Sequence, residues 1–467
     1  MSDVFGADAS SEEQLTLARL QRCYEGGVPA VVCTVDGEGR PNITYISRVH
    51  QVDVDRVAIS NQFMSKTSRN LSANPVASLL LIDPVTYQEY HLQLVYERTE
   101  RRGPVFERLR DDVDQLAEDM GLRGVFKLRA ADIFRVTALA SIQPPHREPE
   151  ALDREPTRSF DALAEFALMI DRSCDLDTVI DTAVAGIDTV LGYHHVSLLL
   201  LDESGTRLYT IASRGFEDAN TGAEVTLGDG AIGRPLARCV VHRASGLRQA
   251  AKYSRTIRRS FEKSGLDAGS VLPLPGLADV DSRIVVPMRS LGQLIGGIVV
   301  EERRVAAFTP IDEQVLTAAA TMLAGAIEAA VGTERSGPEA DAGPIGTTPP
   351  PAAPADAVTV RHFAIDGSVF VDGDYLIRGV GGRILRTLLA AHLDSGRVDF
   401  TNRELRLDPS LDLPGFKDNL ESRLTLLRRR LDERSAPCRL ERTGRGRFRL
   451  DVLCPIIFED IVDPSPP

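Results

Sequence analysis

The chain has 467 residues, 43% of them hydrophobic, and a formal net charge of −13. At about 100 to 200 residues per domain, this length predicts three or so folded units, and the negative charge excludes indiscriminate nucleic-acid binding by the chain as a whole. No apolar run approaches the roughly 18 residues that span a bilayer, and the first ten residues are polar and acidic, so we expect a cytoplasmic protein without membrane contact.

The six cysteines are scattered along the chain without Cys-x-x-Cys or Cys/His metal spacing. This pattern indicates reduced thiols and predicts no metal site. His194 and His195 are adjacent at the start of a predicted strand, where neighbouring side chains point to opposite faces, so we expect a structural role for both.

The first predicted unit spans residues 1–142 and opens with a β-hairpin. Strand-like runs at 30–35 and 42–49 flank a loop that contains Gly37 and Gly39. A later strand leads into a turn where a helix begins, and this turn carries three hydroxyls and two cations, at residues 65–69. Free backbone N–H groups, the helix dipole and these side chains can converge on one phosphate. An ordinary capped surface helix is the alternative.

Residues 60–75 read Ser-Asn-Gln-Phe-x-Ser-Lys-Thr-x-Arg-Asn-Leu-x-x-Asn-Pro. This sequence motif resembles the FMN-binding segment of pyridoxamine 5'-phosphate oxidase-like split barrels, and the resemblance covers residues 11–140. It implies FMN bound across the interface of a homodimer, although a barrel that has lost FMN and only dimerises the chain is also possible. The implied ring contacts are Ser60, Asn61 and Gln62, with Arg48 and Val49 as further candidates on the preceding strand. The implied phosphate contacts are Ser65, Lys66 and Thr67, and Arg69 is a further cofactor-binding candidate.

The second predicted unit spans residues 156–332, after a polar, proline-bearing joint. Helical periodicity comes first, followed by hairpins over 196–212 and 283–301. A terminal helix is predicted to begin at Thr309, where a capping hydroxyl precedes Pro310 and the acidic residue Asp312 follows three positions after Thr309.

This order of elements resembles a GAF domain, together with the segments 228–237 and 308–312. The resemblance implies a pocket for an unidentified small molecule, with walls at 215–229 and 247–281. No cyclic-nucleotide signature is present. Cys239 and His242 lie on or near a helix, and we expect packing rather than a redox or metal pair.

Residues 333–357 are rich in Pro, Ala, Gly and Thr and predict a flexible linker. The third unit, residues 358–455, starts with short strands and continues with three predicted helices, the second opened by a capping box at Thr401. From Phe416 to Leu450 the sequence has eleven Lys or Arg and five acids, a local charge of +6 within an acidic chain. This asymmetry indicates a specialised basic module.

The third helix, predicted over 416–433, and the basic hairpin after it resemble an OmpR/PhoB-type winged-helix domain, most clearly at 419–431 and 442–446. The resemblance implies that polar side chains of the helix face bases of double-stranded DNA and that cations on the helix and wing meet phosphates. The candidate DNA-binding residues are Asn419, Ser422, Arg423, Thr425, Arg428, Arg429, Arg430, Arg442 and Arg445. A winged helix used for protein contacts is the alternative.

The expected fold class is a multidomain α+β chain: a split β-barrel, then a GAF α/β sandwich, then a winged helix. The preferred function is a flavin-binding regulator of transcription that senses redox state or a small molecule. The alternative is an FMN-dependent oxidoreductase regulated by its GAF domain, for which Tyr45, His50 and His91 are nearby proton-transfer candidates without a catalytic motif.

Overall fold

The computed structural model of the protein describes residues 15–25, 28–62, 64–122, 127–142, 159–202, 204–216, 220–252, 254–255, 276–336, 357–411, 413 and 420–461. The chain forms three successive domains, each built around its own sheet or pair of sheets. The linker expected at 333–357 lies mostly outside the described residues.

The N-terminal domain is a curled seven-stranded antiparallel sheet with strand order β2-β1-β5-β6-β7-β4-β3. Its strands are β1 (Ala30–Val35), β2 (Pro41–Ile46), β3 (Val49–Gln51), β4 (Arg56–Asn61), β5 (Val76–Ile82), β6 (Glu89–Glu100) and β7 (Ala130–Ile142). Its helices are α1 (Gln21–Tyr24), α2 (Ser65–Ala73) and α3 (Pro104–Asp119). Alternating burial along β1 and β5 turns one face of the sheet inward, as a two-residue period requires.

The middle domain has a six-stranded antiparallel sheet with order β10-β9-β8-β13-β12-β11. Its strands are β8 (His195–Leu201), β9 (Arg207–Arg214), β10 (Glu224–Thr226), β11 (His242–Ser245), β12 (Ser282–Ser290) and β13 (Gln293–Glu302). Its helices are α4 (Phe160–Asp171), α5 (Leu176–Thr189), α6 (Gly230–Ala237) and α7 (Pro310–Ser336). Helices α4, α5 and α7 pack together and share one apolar core with the sheet, while α6 packs with a separate apolar cluster.

Helix α7 departs from one expectation. Its segment Pro310–Gly332 is long and apolar enough to cross a membrane by length and composition, whereas the sequence reading found no run approaching that length. In this structure the helix packs against α4, α5 and β12, with Leu316, Ala320 and Leu323 fully buried. The core helix of a soluble domain meets the same length and composition criteria.

The C-terminal domain contains two small sheets, with orders β16-β15-β14-β20 and β17-β19-β18. Its strands are β14 (Val358–Phe363), β15 (Ser368–Val371), β16 (Asp374–Ile377), β17 (Asp399–Thr401), β18 (Cys438–Gly444), β19 (Arg447–Val452) and β20 (Ile456–Ile461). Its helices are α8 (Val380–Ser395), α9 (Asn402–Leu407) and α10 (Leu420–Glu433). The capping box predicted at Thr401 is present, with reciprocal bonds to Glu404.

Two element bounds differ from those expected from the sequence. The strand expected over 42–49 is divided into β2 and β3. Strand β20 lies beyond the predicted domain end at 455 and pairs in parallel with β14. Parallel pairing joins strands far apart in sequence, so no local turn signals it.

Candidate functional site

The turn between β4 and α2 presents an open helix N-terminus. Helix α2 begins at Ser65, and its N-cap residue Met64 provides no side-chain hydrogen bond to the first turn. The side chains of Ser65, Lys66 and Arg69 are exposed there. Orphan N–H groups, a positive dipole end and cations therefore coincide, which is the arrangement that holds phosphates in other proteins.

A buried polar network fixes α2 against the sheet. Thr67 is 2% exposed, and its hydroxyl lies 3.1 Å from the Asn42 amide nitrogen and 3.0 Å from the Thr44 hydroxyl. The amide of Asn70 donates to the hydroxyl of Thr34 at 3.2 Å. The Thr67 side chain is thus used inside the domain, and its predicted phosphate contact would have to come from its backbone N–H.

The three predicted ring contacts are mostly engaged within the sheet. The Ser60 hydroxyl accepts from the backbone N–H of Arg48 at 3.1 Å, and the Asn61 amide donates to Asp132 at 2.8 Å. Gln62 is different, because it is 6% exposed and its amide nitrogen has no hydrogen-bond partner in the part of the chain that the structure describes. A buried donor without a partner is costly and is the kind of group that a ligand satisfies.

Arg48 bonds to Ser60 and Val49 pairs with Ile59, and both residues also lie on the wall of a cavity of about 690 Å³ between the N-terminal and middle domains. Arg48 donates to the backbone carbonyl of Glu25, and the Glu25 carboxylate lies 2.6 Å from Arg243 of the middle domain. Burial raises the pKa of Glu25, although Arg243 opposes that effect. His50 also lines the cavity, and burial lowers its pKa, with the Arg108 charge acting in the same direction.

Polar side-chain contacts also join α3 of the first domain to α6 and β11 of the second. Arg234 lies 3.1 Å from Asp114, and His242 lies 3.0 Å from Asp119. His242 is therefore held by a polar contact to α3, and Cys239, on the turn after α6, shares no hydrogen bond with it among the described residues. None of these contacts belongs to a group of three or more metal-ligating residues in the described ranges.

The face of the middle sheet opposite α7 carries a buried ion pair. Arg283 and Glu301 are 5% and 1% exposed, and their side chains meet at 2.7 Å. The Glu301 carboxylate also accepts from the backbone N–H of Leu277 at 2.7 Å. Beside this pair, Leu236 of α6 packs onto Gly297, where a Cβ would come within 2.6 Å of it. Much of the predicted pocket wall at 247–281 lies outside the described residues.

The predicted DNA-reading face of α10 is not open in this structure. Ser422 and Thr425 are each 4% exposed, so they face no open groove in this arrangement of the domains. Arg430 is also buried and donates to the carbonyl of Leu376 at 2.9 Å. Helix α10 packs against α5 and β9 of the middle domain as well as against α8 and β18 of its own domain, and amphipathic periodicity alone does not reveal such long-range contacts.

Most of the other predicted DNA-binding residues lie at the contact between α10 and the middle domain. Arg423 lies over the ring of Tyr209, 4.1 Å from its centre. Arg428, Arg429 and Arg442 pair with aspartates of α5 and its N-cap. Arg445 is exposed at the tip of the β18–β19 hairpin, and Asn419 lies outside the described residues.

The sequence reading missed the residues that support the α2 turn, at Thr34, Asn42, Thr44, Asn70 and Asp132. A partial signal exists, since Thr34, Asn42 and Thr44 are polar residues at inward positions of strands that otherwise bury apolar side chains. Such a residue needs a hydrogen-bonding partner, and the polar side of α2 supplies it.

Two family models match the chain. The model described as pyridoxamine 5'-phosphate oxidase matches residues 18–137, and the model described as GAF domain matches residues 175–327. Neither reaches the C-terminal domain. A comparison with curated proteins finds no match.

Several solved structures resemble single domains of the chain. An FMN-binding protein from Syntrophomonas wolfei subsp. wolfei is 15% identical, covering 27% of this chain and 88% of its own, with a TM-score of 0.23. The GAF domain of an Acinetobacter phosphoenolpyruvate-protein phosphotransferase is 21% identical, covering 38% and 96%, with a TM-score of 0.31. A free methionine-R-sulfoxide reductase from Neisseria meningitidis is 18% identical, covering 38% and 95%, with a TM-score of 0.29.

At these identities and scores the solved structures carry no argument about ligands, and the assignment depends on the two family models. The chain therefore carries a split-barrel domain of the pyridoxamine 5'-phosphate oxidase type over residues 18–137 and a GAF domain over residues 175–327.

Proposed function

We propose that this protein is a flavin-binding regulator of transcription, in which the split barrel and the GAF domain sense redox state or a small molecule and the C-terminal domain binds double-stranded DNA. The observation that carries the flavin part is the open N-terminus of α2, where exposed Ser65 and Lys66 flank backbone N–H groups that receive no side-chain cap.

The residues present fit FMN. Ser65, Lys66 and Arg69 would hold its phosphate, together with the first backbone N–H groups of α2, and the buried amide nitrogen of Gln62 would gain a partner from the ring. When bound, the flavin would supply electron or hydride transfer, while the protein supplies orientation and electrostatics. The chain would act as a homodimer, as the resemblance to FMN-binding barrels suggests.

The DNA part is supported by the order of elements in the C-terminal domain. Three helices precede a two-stranded hairpin, and residues 416–450, which include α10 and most of that hairpin, carry the local charge of +6. A helix followed by a basic hairpin suits major-groove and phosphate contacts. Binding of FMN or of a GAF ligand would change the population of arrangements in which this domain reaches DNA.

The flavin part is tested by the visible absorption of the purified protein and of two variants. Lys66→Ala should weaken FMN binding by about 10- to 100-fold, because a charge-assisted bond to the phosphate is lost. Lys127→Ala is the matched control, since Lys127 is an exposed lysine of the same domain outside the α2 turn. Equal FMN affinity of the two variants would remove Lys66 from the site, and a colourless protein that does not take up added FMN would indicate an empty barrel.

The DNA part is tested by gel shifts on the DNA upstream of the protein's own coding region. Six to ten phosphate contacts predict an affinity loss of roughly 10³ to 10⁵ between about 50 and 200 mM salt. Absence of any shift at the lower salt concentration would contradict DNA binding and leave the C-terminal domain as a protein-contact module.

One observation favours the enzyme alternative. The cavity of about 690 Å³ beside the barrel is lined by His50 as well as by Arg48 and Val49, so it combines a proton-transfer candidate with predicted cofactor contacts. An FMN-dependent oxidoreductase would consume NADH or NADPH steadily with a defined acceptor, and His50→Gln would lower that rate. A flavin-loaded protein without such turnover would favour the regulator.

A further inference from the structure

The GAF domain covers the surface of α10 that was predicted to read DNA. Helix α10 packs on its outer side against α5 and β9 of the GAF domain. The approach is close, since a Cβ placed on Gly222 of the GAF domain would lie 2.9 Å from Cδ of Arg430. The same surface cannot lie in a major groove while it lies on the GAF domain.

Ion pairs align the two surfaces. Three acids at the start of α5, Asp175, Asp177 and Asp181, face three cations of the C-terminal domain. Arg428 pairs with Asp177, Arg429 lies 2.7 Å from Asp181, and Arg442 of the hairpin lies 3.5 Å from Asp175. This group of three aspartates is called the α5 acidic edge below.

The α5 acidic edge places negative charge where DNA phosphates would lie. Its carboxylates meet cations from both the helix and the hairpin, the two elements that a winged helix uses together on a duplex. Burial raises the pKa of Asp175, but hydrogen bonds from Thr178 and the charges of Arg442 and Arg428 outweigh that effect and hold the pKa below its usual range. Asp175 therefore stays anionic at neutral pH.

The contact between the two domains has apolar and polar parts, because one cluster of buried apolar residues continues from the GAF domain into the C-terminal domain, beside the ion pairs of the α5 acidic edge. On its other side, Glu224 of the GAF domain pairs with Arg378, and a cavity of about 440 Å³ lies next to that pair. The covalent connection through residues 337–356 supplies a high effective concentration, so each ion pair of the edge adds to a contact that is already favoured.

We propose that the α5 acidic edge is an intramolecular competitor of DNA, which occupies the basic face of α10 and the hairpin until the two domains separate. This inference rests on the proposed DNA-binding function and adds its mode of regulation. The GAF domain would then act by direct occlusion of the DNA-binding surface.

The test compares two full-length double variants. Asp177→Asn/Asp181→Asn removes two charges from the edge, and Glu165→Gln/Asp171→Asn removes two charges from exposed positions of α4 outside the contact. Fluorescence anisotropy with a labelled duplex of about 30 base pairs at low salt measures affinity. Partly exposed pairs of this kind predict roughly a 10-fold gain in affinity for the edge variant and no change for the control. Amide hydrogen exchange in α10, measured without DNA, should also rise in the edge variant alone.

The two measurements separate the possible failures. Equal DNA affinity of the edge and control variants, with α10 exchange unchanged, would overturn the inference and leave DNA binding intact. If α10 exchange rises in the edge variant but no form of the protein binds the duplex, the domain contact is real. The proposed DNA-binding function then fails, and the competition fails with it.

Discussion

Removal of one partner from the buried ion pair of the GAF sheet should be strongly destabilising. Arg283 and Glu301 are 5% and 1% exposed and meet at 2.7 Å across β12 and β13. Arg283→Met leaves the Glu301 carboxylate in the interior, where Leu277 N–H is the hydrogen bond that remains from its described contacts. Breaking a buried pair in this way costs about 3–5 kcal/mol, because an uncompensated charge stays buried.

A double variant tests the cause of that loss of stability. Arg283→Met/Glu301→Gln removes both charges but keeps a carbonyl acceptor for Leu277, so it should recover most of the stability that Arg283→Met loses. Native-state hydrogen exchange at amides of β12 and β13 measures the free energy of opening for this domain without assuming that the whole chain unfolds in one step. A loss below about 1 kcal/mol in the single variant would refute the reasoning, since it would mean that the carboxylate finds water or another cation.

Three further outcomes follow from single sites. Thr67→Val should lower barrel stability by about 1–2 kcal/mol in chemical denaturation, because two buried hydrogen bonds to its hydroxyl are lost, and an unchanged midpoint would contradict its clamping role. Burial raises the pKa of Asp111, but its bonds to Arg238 outweigh this and lower it, so the pair contributes stability above the ordinary Asp value of 3.8 and loses it as pH falls through the depressed pKa. Arg238→Gln should therefore flatten the acid limb of a plot of melting temperature against pH. Burial raises the pKa of Cys23 to about 12, so iodoacetamide at about pH 8 should alkylate exposed Cys174 first, and rapid labelling of Cys23 would be inconsistent with this structure.

Local signals in the sequence predicted local structure well. The strand at Ala30–Val35 and the capping box at Thr401 appear as expected, because alternation and reciprocal capping depend on residues close together in the chain. The helix start at Thr309 also forms, with its backbone N–H and hydroxyl bonded to Asp312. The split-barrel and GAF assignments followed from such elements together with their sequence motifs, and the family models confirm both assignments.

Contacts between distant parts of the chain could not be predicted from the sequence. The pattern of α10 separates an apolar stripe from a polar one, yet it does not predict whether the polar stripe contacts water, DNA or another domain. Ser422 and Thr425 belong to the polar stripe, and both are buried in this structure. Thr67 illustrates the same limit at the candidate flavin site. Its place in the turn suggested a ligand contact, whereas its side chain points to partners some 25 residues away in the chain.

The network beneath α2 has a thermodynamic consequence for any ligand of the turn. Because Thr67 and Asn70 anchor the helix to β1 and β2, its first turn is already in a binding geometry before a phosphate arrives. A preorganised binding site loses little free energy to ordering of the backbone on association, so the ligand binds with higher affinity. Loosening the anchor would therefore raise the entropic penalty of capture even though no contact to the ligand had been altered.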